Sequence, residues 1–444
     1  MLSTSQGRAA GAPDSLYPAH HEALRARYGR LLDETPYESI AVYAGSPLYR
    51  FRDDQSWPFR AGVFYQQWVP CDDHAGAVLL FRPGREPVLV LQMPRDYWHS
   101  VPESPTGAWT ASFEIVVVED AAGLRAALPD DLSSCALVGE SDATVAAWDW
   151  AAINPPELLS ALEFARLYKS SYEVECVRSA NIIARRGHEA ARAAFLGGAS
   201  EFDIHLAYLR ATGHTDAELP YANIVALNEH GATLHYGRLD REPPLRRRSF
   251  LIDAGARCRG YAADITRTWA AEPGGEFAAL VEALDHAQQA LVAGLRSGQS
   301  YVDVHEDAQL AVAVILEDFG IVQMAPEDMV ATGVSNVFLP HGVGHHLGLQ
   351  VHDTGGKLAD ATGTPIPQPE GWPSLRNLRP LEEGNVFTIE PGIYFIDQLL
   401  DHLRESPLAA NIDWDLVELL RPYGGARIED NVWMGPEGPV NLSR

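Results

Sequence analysis

Lysine is nearly missing from this chain. Only Lys169 and Lys357 occur in 444 residues, and 60 acidic residues stand against 34 lysines and arginines, for a formal net charge of -26. Phosphate backbones are bound by basic faces, so nucleic acid is excluded as a partner. The negative excess is read as solubility. Cysteine is sparse as well. Cys71, Cys135, Cys176 and Cys258 lie far apart with no CxxC pair, which excludes a zinc ribbon or a dithiol motif and fits a reducing compartment. No run approaches the ~18 apolar residues of a membrane span. Met1 to Pro18 has no apolar core of the kind signal peptides carry and reads as a frayed tail. The expectation is a cytoplasmic protein with no membrane or nucleic-acid partner. What is plentiful is apolar character, 46% of the chain, enough for a sizeable core in two or three domains.

The first part of the chain alternates short apolar runs with helical stretches. A helix is expected over His21–Asp33, and strands at Ile40–Tyr43, Ala77–Phe81, Val88–Leu91, Phe113–Val118 and Ala136–Val138. Gly84 and Pro87 mark a hairpin turn between two of them. This predicts a smaller α/β domain with a mixed sheet over residues 1–160, without clustered metal-type ligands. Its polar and aromatic spots, Asp53-Asp54 and Tyr97-Trp98-His99, read as loop residues.

Asn154-Pro155-Pro156 marks a break. Ser170 to Glu173 has capping-box spacing, and the helix it opens should stop at Gly197-Gly198. A further helix is expected from Ser200 to near Gly213, and two longer ones over Phe277–Leu295 and Val302–Phe319. Strand-like segments lie among them, giving residues 161–444 an α+β layout with a mainly antiparallel sheet. Thr354 to Gly384 is rich in Gly and Pro and reads as a functional lid or a disordered piece.

Chemistry-bearing residues concentrate in this second part. His341-Gly-Val-Gly-His345-His346 and Val351-His352-Asp353 place four histidines in a short stretch. Asp253 and Asp264 sit in two strand-like segments either side of Arg257-Cys-Arg-Gly260. A turn centred on Cys258 and Arg259 would set the two aspartates opposite each other, and cross-strand carboxylates that close repel unless a proton or cation separates them. Glu390 and Glu429 each lie in an apolar strand, where a glutamate needs a partner. Arg427, two residues from Glu429 on the same strand face, is one candidate. Four carboxylates plus one imidazole form a hard, oxygen-rich ligand set. It suits two divalent ions, Mn2+ ahead of Co2+ or Zn2+. A pair of such ions can hold a hydroxide that attacks a carbonyl.

The segments around these residues, Asp253-Ala-Gly, Asp264-Ile-Thr-Arg-Thr, His341-Gly-Val-Gly-His345, Thr388-Ile-Glu-Pro-Gly-Ile-Tyr and Arg427-Ile-Glu-Asp-Asn, resemble the signatures of the pita-bread metallopeptidases. The prolidase (Xaa-Pro dipeptidase) branch is the nearest. Glu201-Phe-Asp-Ile, Tyr221-Ala-Asn-Ile, His235-Tyr and Asp96-Tyr-Trp-His add to the likeness. The resemblance implies a C-terminal pita-bread (creatinase/aminopeptidase-like) fold behind the smaller N-terminal domain. It implies metal ligation by Asp253, Asp264, His345, Glu390 and Glu429, with Asp264 and Glu429 shared between the ions and Glu390 also the proton shuttle. His235, His341 and His352 would serve the tetrahedral intermediate and the leaving group, with Arg427 in support. Arg376 would receive the carboxylate of a dipeptide ending in proline, and a bidentate guanidinium suits that task. Tyr221, Leu234, Tyr301, Val351 and Leu375 would form the pocket wall. Gly342, Gly344 and Gly348 would let backbone approach the metals, and His346 would point elsewhere. A homodimer is implied, with Asp53 or Asp54 reaching the partner's site. The remaining histidines, His205, His214, His230, His286, His305 and His402, read as surface or structural. Aminopeptidase P, organophosphorus acid anhydrolase and an inactive pita-bread binding protein are the competing readings.

Overall fold

The computed structural model describes residues 12–98 and 104–444. Helix α1 (Ala12–Asp33) starts earlier than the frayed tail allowed. Pro18 lies inside α1, with Tyr17, His20 and His21 around it buried. Tyr17 packs edge-on against Tyr172 and donates to the Trp68 carbonyl, and His21 packs against Trp68 and Phe113. Strands β1 (Ser39–Tyr43), β2 (Val78–Phe81), β3 (Val88–Gln92), β4 (Glu114–Val118), β5 (Cys135–Val138) and β6 (Ala152–Ile153) form one sheet in the order β4-β3-β2-β1-β5-β6. The β1–β2 and β2–β3 pairs are antiparallel and the others parallel, so the sheet is mixed. Helices α2 (Val63–Trp68), α3 (Ala121–Ala126) and α4 (Ala143–Ala146) pack around it. His99 lies outside the described residues. Tyr97 and Trp98 stack on each other and are exposed.

Helix α5 (Pro156–Ala165) follows, with residue 160 inside it, and leads to α6 (Ser171–Leu196). The capping box at Ser170 and Glu173 forms as the spacing predicts. Next come α7 (Glu201–Thr212), β7 (Ile224–Leu227), β8 (Ser249–Asp253), β9 (Arg257–Cys258), β10 (Tyr261–Ala262), β11 (Thr266–Ala270), α8 (Glu276–Gly294) and α9 (Tyr301–Asp318). Strands β12 (Val386–Ile389), β13 (Gly392–Tyr394), β14 (Gly425–Arg427), β15 (Asp430–Gly435) and β16 (Gly438–Asn441) complete the second part. Its described strand pairs are all antiparallel. Thr354 to Gly384 contains no named helix or strand, yet Leu375, Asn377, Leu378, Arg379 and Leu381 in it are buried.

The β8–β11 hairpin differs from its expected register. Cys258 pairs with Tyr261 and Asp253 with Thr266, so the turn centres on Arg259 and Gly260. Both have positive φ, 53° and 87°, as a type I′ turn requires. Glycine at the second central position is the signal for this placement. Asp264 is therefore two residues out of line with Asp253. A two-residue shift keeps both on one face, whereas one residue would have sent them to opposite faces.

A single apolar cluster joins the two parts. Tyr17, Leu24 and Trp68 of the first share it with Tyr172, Tyr261, Leu347 and Val386 of the second. A buried charge group closes the seam. Asp353, read as part of the histidine constellation, accepts from Arg166 at 2.5 Å and from Lys169 at 2.9 Å, and all three side chains are almost wholly buried. Burial alone would raise the Asp353 pKa, but the two cations outweigh it and hold the carboxyl below its usual range. Replacing Asp353 by Ala leaves two buried cations unpaired, with an expected loss of about 3–5 kcal/mol in denaturant unfolding. A folded-state pKa below the unfolded one gives stability that is present above the ordinary aspartate range and lost as pH falls through the folded value. The wild-type midpoint should therefore drop on acidification below about pH 4, and Asp353→Asn should flatten that drop.

Candidate metal centre

The floor of the site is assembled from strand ends. Asp253 ends β8, Asp264 sits between β10 and β11, Glu390 follows β12, and Glu429 lies between β14 and β15. Glu429 is fixed by a bridge to Thr266, whose hydroxyl also donates to Glu429 Oε2 at 2.6 Å. The histidine stretch is pinned beside β12. Thr388 N donates to the His345 carbonyl at 2.9 Å, and His345 N to Thr388 Oγ1 at 3.1 Å.

His345 Nδ1 donates to the His346 carbonyl at 3.0 Å. That fixes the tautomer and leaves the Nε2 lone pair facing the carboxylates. Nε2 lies 3.5 Å from Asp264 Oδ2 and 3.6 Å from Glu390 Oε1, too long for good hydrogen bonds. Ligand atoms of Asp264, His345 and Glu429 all fall within 4.8 Å of one another. The Tyr221 hydroxyl lies between the aspartates, donating to Asp253 Oδ1 at 2.7 Å with Asp264 Oδ1 2.5 Å away. Acceptors thus converge with few donors among them.

The electrostatics follow from that crowding. Burial, reinforced by Asp264 and Glu390, raises Glu429 well above the ordinary glutamate value. Burial likewise raises Glu390, to about 7. Asp253 is raised by burial although Arg427 opposes it. For Asp264 burial pulls upward too, but the His345 imidazole brings the net shift down. Arg427 is the buried cation of the floor, and it pairs with Asp253 at 2.7 Å and not with Glu429 as the spacing suggested. Its remaining nitrogens donate to Thr266 Oγ1 and the Tyr394 hydroxyl. Strands β13 and β14 are paired, and this turns the guanidinium toward β8.

A cavity of about 770 Å³ opens above this floor. It contains all five expected ligands, together with His235, His341, His352, Arg376, Arg427, Tyr221, Leu234 and Val351. Tyr301 and Leu375, expected in the wall, are not there. Tyr301 is fully buried, donating to the Thr388 carbonyl at 2.8 Å, and Leu375 is packed beneath Gly342. The glycines also make room for protein. A Cβ at Gly344 would meet Thr388 O and the Tyr301 hydroxyl, one at Gly348 would meet Asp353, and one at Gly342 would meet Leu375. Gly342 and Gly344 line the cavity as well.

The three pocket histidines differ. His341 has both nitrogens engaged: Nδ1 donates to the Gly342 carbonyl at 2.8 Å, and Nε2 accepts from Tyr394 at 2.9 Å. Burial lowers its pKa to about 3, so it is neutral. His352 stands edge-on to His345 with ring centroids 4.4 Å apart, and burial lowers it to about 4. His235 is exposed on the cavity wall. His346 is buried outside the cavity, its ring nitrogens without hydrogen-bond partners. Arg376 is exposed to the cavity and pairs with no carboxylate among the described residues.

Sequence reasoning misses the roof of the cavity, built by Arg60, Ala61, Gly62, Val63 and Gln66 from the first part of the chain. No motif marks them, because their role comes from packing between domains. It also expects no ligand cluster in that part, whereas Cys71, Asp73 and His74 come within reach of one another. There the thiol is pushed up to about 12 by burial, and His74 Nδ1 is engaged by the Tyr65 hydroxyl.

Comparison with known proteins gives this geometry a family. Residues 175–436 match the model of metallopeptidase family M24, and residues 15–164 match that of the Xaa-Pro dipeptidase N-terminal domain. The chain is 44% identical over 431 residues to the Xaa-Pro dipeptidase of Xanthomonas oryzae pv. oryzae, covering 97% of both proteins. It is 43% identical over 432 residues to that of Stenotrophomonas maltophilia, again with 97% of each covered. Among solved structures it is similar to aminopeptidase P from Escherichia coli, with TM-score 0.72, 21% identity and coverage of 98% of this chain and 96% of that one. Proline aminopeptidase P II from Yersinia pestis gives TM-score 0.69 at 22% identity, covering 97% and 96%. At such identities the structures speak for the fold, and that fold is the pita-bread catalytic domain behind a smaller mixed-sheet domain. Shared along nearly their whole length with the curated dipeptidases, the architecture and sequence place this chain in metallopeptidase family M24, within its Xaa-Pro dipeptidase branch.

Proposed function

We propose that this chain hydrolyses Xaa-Pro dipeptides with two divalent metal ions, manganese first among them, bound by Asp253, Asp264, His345, Glu390 and Glu429. The observation that carries the reading is a cavity with buried, converging acceptors on its floor and an unpaired arginine, Arg376, on its wall. The residues fit the ions on charge and on donor type. Two buried carboxylates, Asp264 and Glu429, and two part-buried ones, Asp253 and Glu390, face one buried guanidinium, and oxygen donors with one imidazole suit hard divalent cations. When bound, the ions supply a Lewis-acid centre for water activation and oxyanion stabilisation.

The protein's own groups do the rest. Glu390, at the end of β12 on the cavity floor, is the carboxylate placed to hold and release a proton beside the scissile bond. Arg427 holds Asp253 in place and, through Tyr394, orients neutral His341. With its own nitrogens engaged, His341 supports the wall, which leaves His352 and His235 as the imidazoles facing the substrate. Arg376 receives the carboxylate of the C-terminal proline and so limits substrates to dipeptides.

The cavity holds about 770 Å³, and Tyr221, Leu234 and Val351 give it part of its wall. This favours a secondary hydrolysis of organophosphate triesters, whose tetrahedral phosphorus resembles the peptide intermediate. The four free cysteines support a reducing, cytoplasmic setting. A homodimer is supported by an exposed hairpin, bridged at Tyr49 and Ser56, that presents Leu48, Tyr49, Phe51 and Trp57 to solvent with Asp53 and Asp54 at its tip.

In a panel containing Ala-Pro, Ala-Pro-Ala and a phosphotriester, Ala-Pro should be turned over fastest. Preference for the tripeptide would instead make the protein an aminopeptidase P-type enzyme, and no turnover of any Xaa-Pro peptide by Mn-loaded protein would mark an inactive binding protein. Arg376→Ala should raise KM for Ala-Pro by about 10- to 100-fold, the worth of a charge-assisted contact, and far less for the carboxyl-amidated analogue. Metal binding can be followed by melting temperature. Mn2+ at a hundredfold over its Kd should add about 2.7 kcal/mol, with affinity tightening as pH rises through 7 because Glu390 must shed its proton. In the metal-free protein the sign reverses. Folded Glu390 keeps a proton that the unfolded chain loses near its ordinary value, so stability should fall as pH rises from about 4.5 to 7. Phe51→Glu should shift the sedimentation coefficient from dimer to monomer, and an unchanged dimer would place the interface elsewhere.

A further inference from the structure

Glu201 is buried at the first position of α7, just after the Ser200 cap. Its carboxylate is fully used. Oε1 accepts from Leu227 N at 2.9 Å and from His230 Nδ1 at 2.7 Å. Oε2 accepts from the Tyr236 hydroxyl and from Asp240 N, both at 2.8 Å. Glu201, His230 and Asp240 are close enough to suggest a metal site, but a cation there would have to displace N–H and O–H donors that already satisfy both oxygens.

The placement of those donors gives the carboxylate another meaning. Leu227 and His230 stand at the start of the segment 228–239, and Tyr236 and Asp240 at its end. The segment leaves β7 through Asn228, at φ 56°, and contains only one short 3-10 turn, Asn228–Ala232. Phe202 N, at the start of α7, adds a bond to the Asp240 carbonyl at 3.1 Å. One side chain therefore clamps both stems of an otherwise irregular loop against a helix end. The apex of that loop carries Leu234 and His235 into the cavity, and Tyr236, Gly237 and Leu239 also line it.

We propose that Glu201 is the positioning residue for His235, setting both the imidazole and the Leu234 wall by holding the loop closed from below. For its activity arm this rests on the dipeptidase reading given above. The four donors need an acceptor on each side. Glutamine offers one oxygen, and in either orientation its amide NH2 opposes a backbone N–H, of Leu227 or of Asp240, that cannot accept. Aspartate is a methylene too short to reach both stems.

The test uses Glu201→Gln in the full-length, metal-loaded protein. Amide hydrogen exchange across 228–239 should quicken while β8 and β12 keep their protection, and unchanged exchange in the loop overturns the proposal. The kcat/KM for Ala-Pro should fall by about 10- to 100-fold, the range of supporting residues around a site. In a His235→Ala background the same change should cost less than about threefold, since coupled residues are not additive. Equal losses in both backgrounds show Glu201 to be merely structural and overturn the assignment. Tyr236→Phe removes a single donor and serves if the glutamine variant does not fold. It should loosen the same loop by a smaller amount, and a loop as protected as wild type overturns the clamp. If wild-type protein shows no Xaa-Pro hydrolysis, the function reading fails, while the exchange measurement still decides whether Glu201 holds the loop.

Discussion

Four carboxylates crowded onto one buried floor would push each other apart if their backbones allowed it. Asp264, Glu390 and Glu429 sit around a single imidazole edge, and Asp253 stands beside them on Arg427, the buried cation that offsets part of the charge. Much of the second domain follows from resisting that repulsion. The backbone of each acid is fixed: Asp253 through β7 and β11, Glu390 through β12, Glu429 through its bridge to Thr266, and Asp264 through its N–H to Asn431 Oδ1. The pKa of Glu390 and Glu429 is raised first by the strain of burying a charge and then by acidic neighbours, which Arg427 only partly offsets. A cation that fits the gap relieves that strain, so ion binding and folding stability are coupled in the same groups.

The loops above the floor are held by a second set of buried acids, and the two examples use opposite chemistry. Asp353 accepts from Arg166 and Lys169, so one of the chain's two lysines ties the 350–353 segment to the end of α5. Glu201 meets its four donors without any lysine or arginine. The first arrangement rests on charge. The second is directional, because each bond fixes one backbone or side-chain position. A loop that must present an imidazole at a set place benefits more from direction than from charge.

Much of the site is legible in the amino-acid sequence, and the reasons are local. Strands of the first domain, the capping box at Ser170 and the helix stop at Gly197 are written in short-range patterns. The clustering of acids and histidines in apolar segments needs no tertiary knowledge either. What stays hidden depends on geometry that spacing does not carry. The β8–β11 register turns on which two residues take positive φ, and these are Arg259 and Gly260 instead of Cys258 and Arg259. Spacing matches Arg427 to Glu429 along its own strand, while the actual partner, Asp253, comes from β8. Tyr301 is a polar aromatic near the acids, but its hydroxyl is spent on a β12 carbonyl in the layer beneath. Asp353 reads as part of the histidine cluster because it follows His352, and only the fold shows Arg166 and Lys169 arriving from the C-terminal end of α5 and just beyond it.

The distribution of arginines gives the cavity a direction. Four line it: Arg60, Arg257, Arg376 and Arg427. Arg60 donates to the carbonyls of Ala217 and Leu219, Arg257 is held by Asp72 and Gln66, and Arg427 by Asp253. Those three are engaged in keeping the roof and floor in place, and a substrate could recruit them only by breaking bonds inside the protein. Arg376 carries no such cost. On the dipeptidase proposal, a free carboxylate entering the cavity would be sorted toward the 374–376 wall, with the rest of the substrate laid toward the acidic floor. The span between Arg376 and the floor would then set which bond reaches the floor, and chain length would be selected by that span.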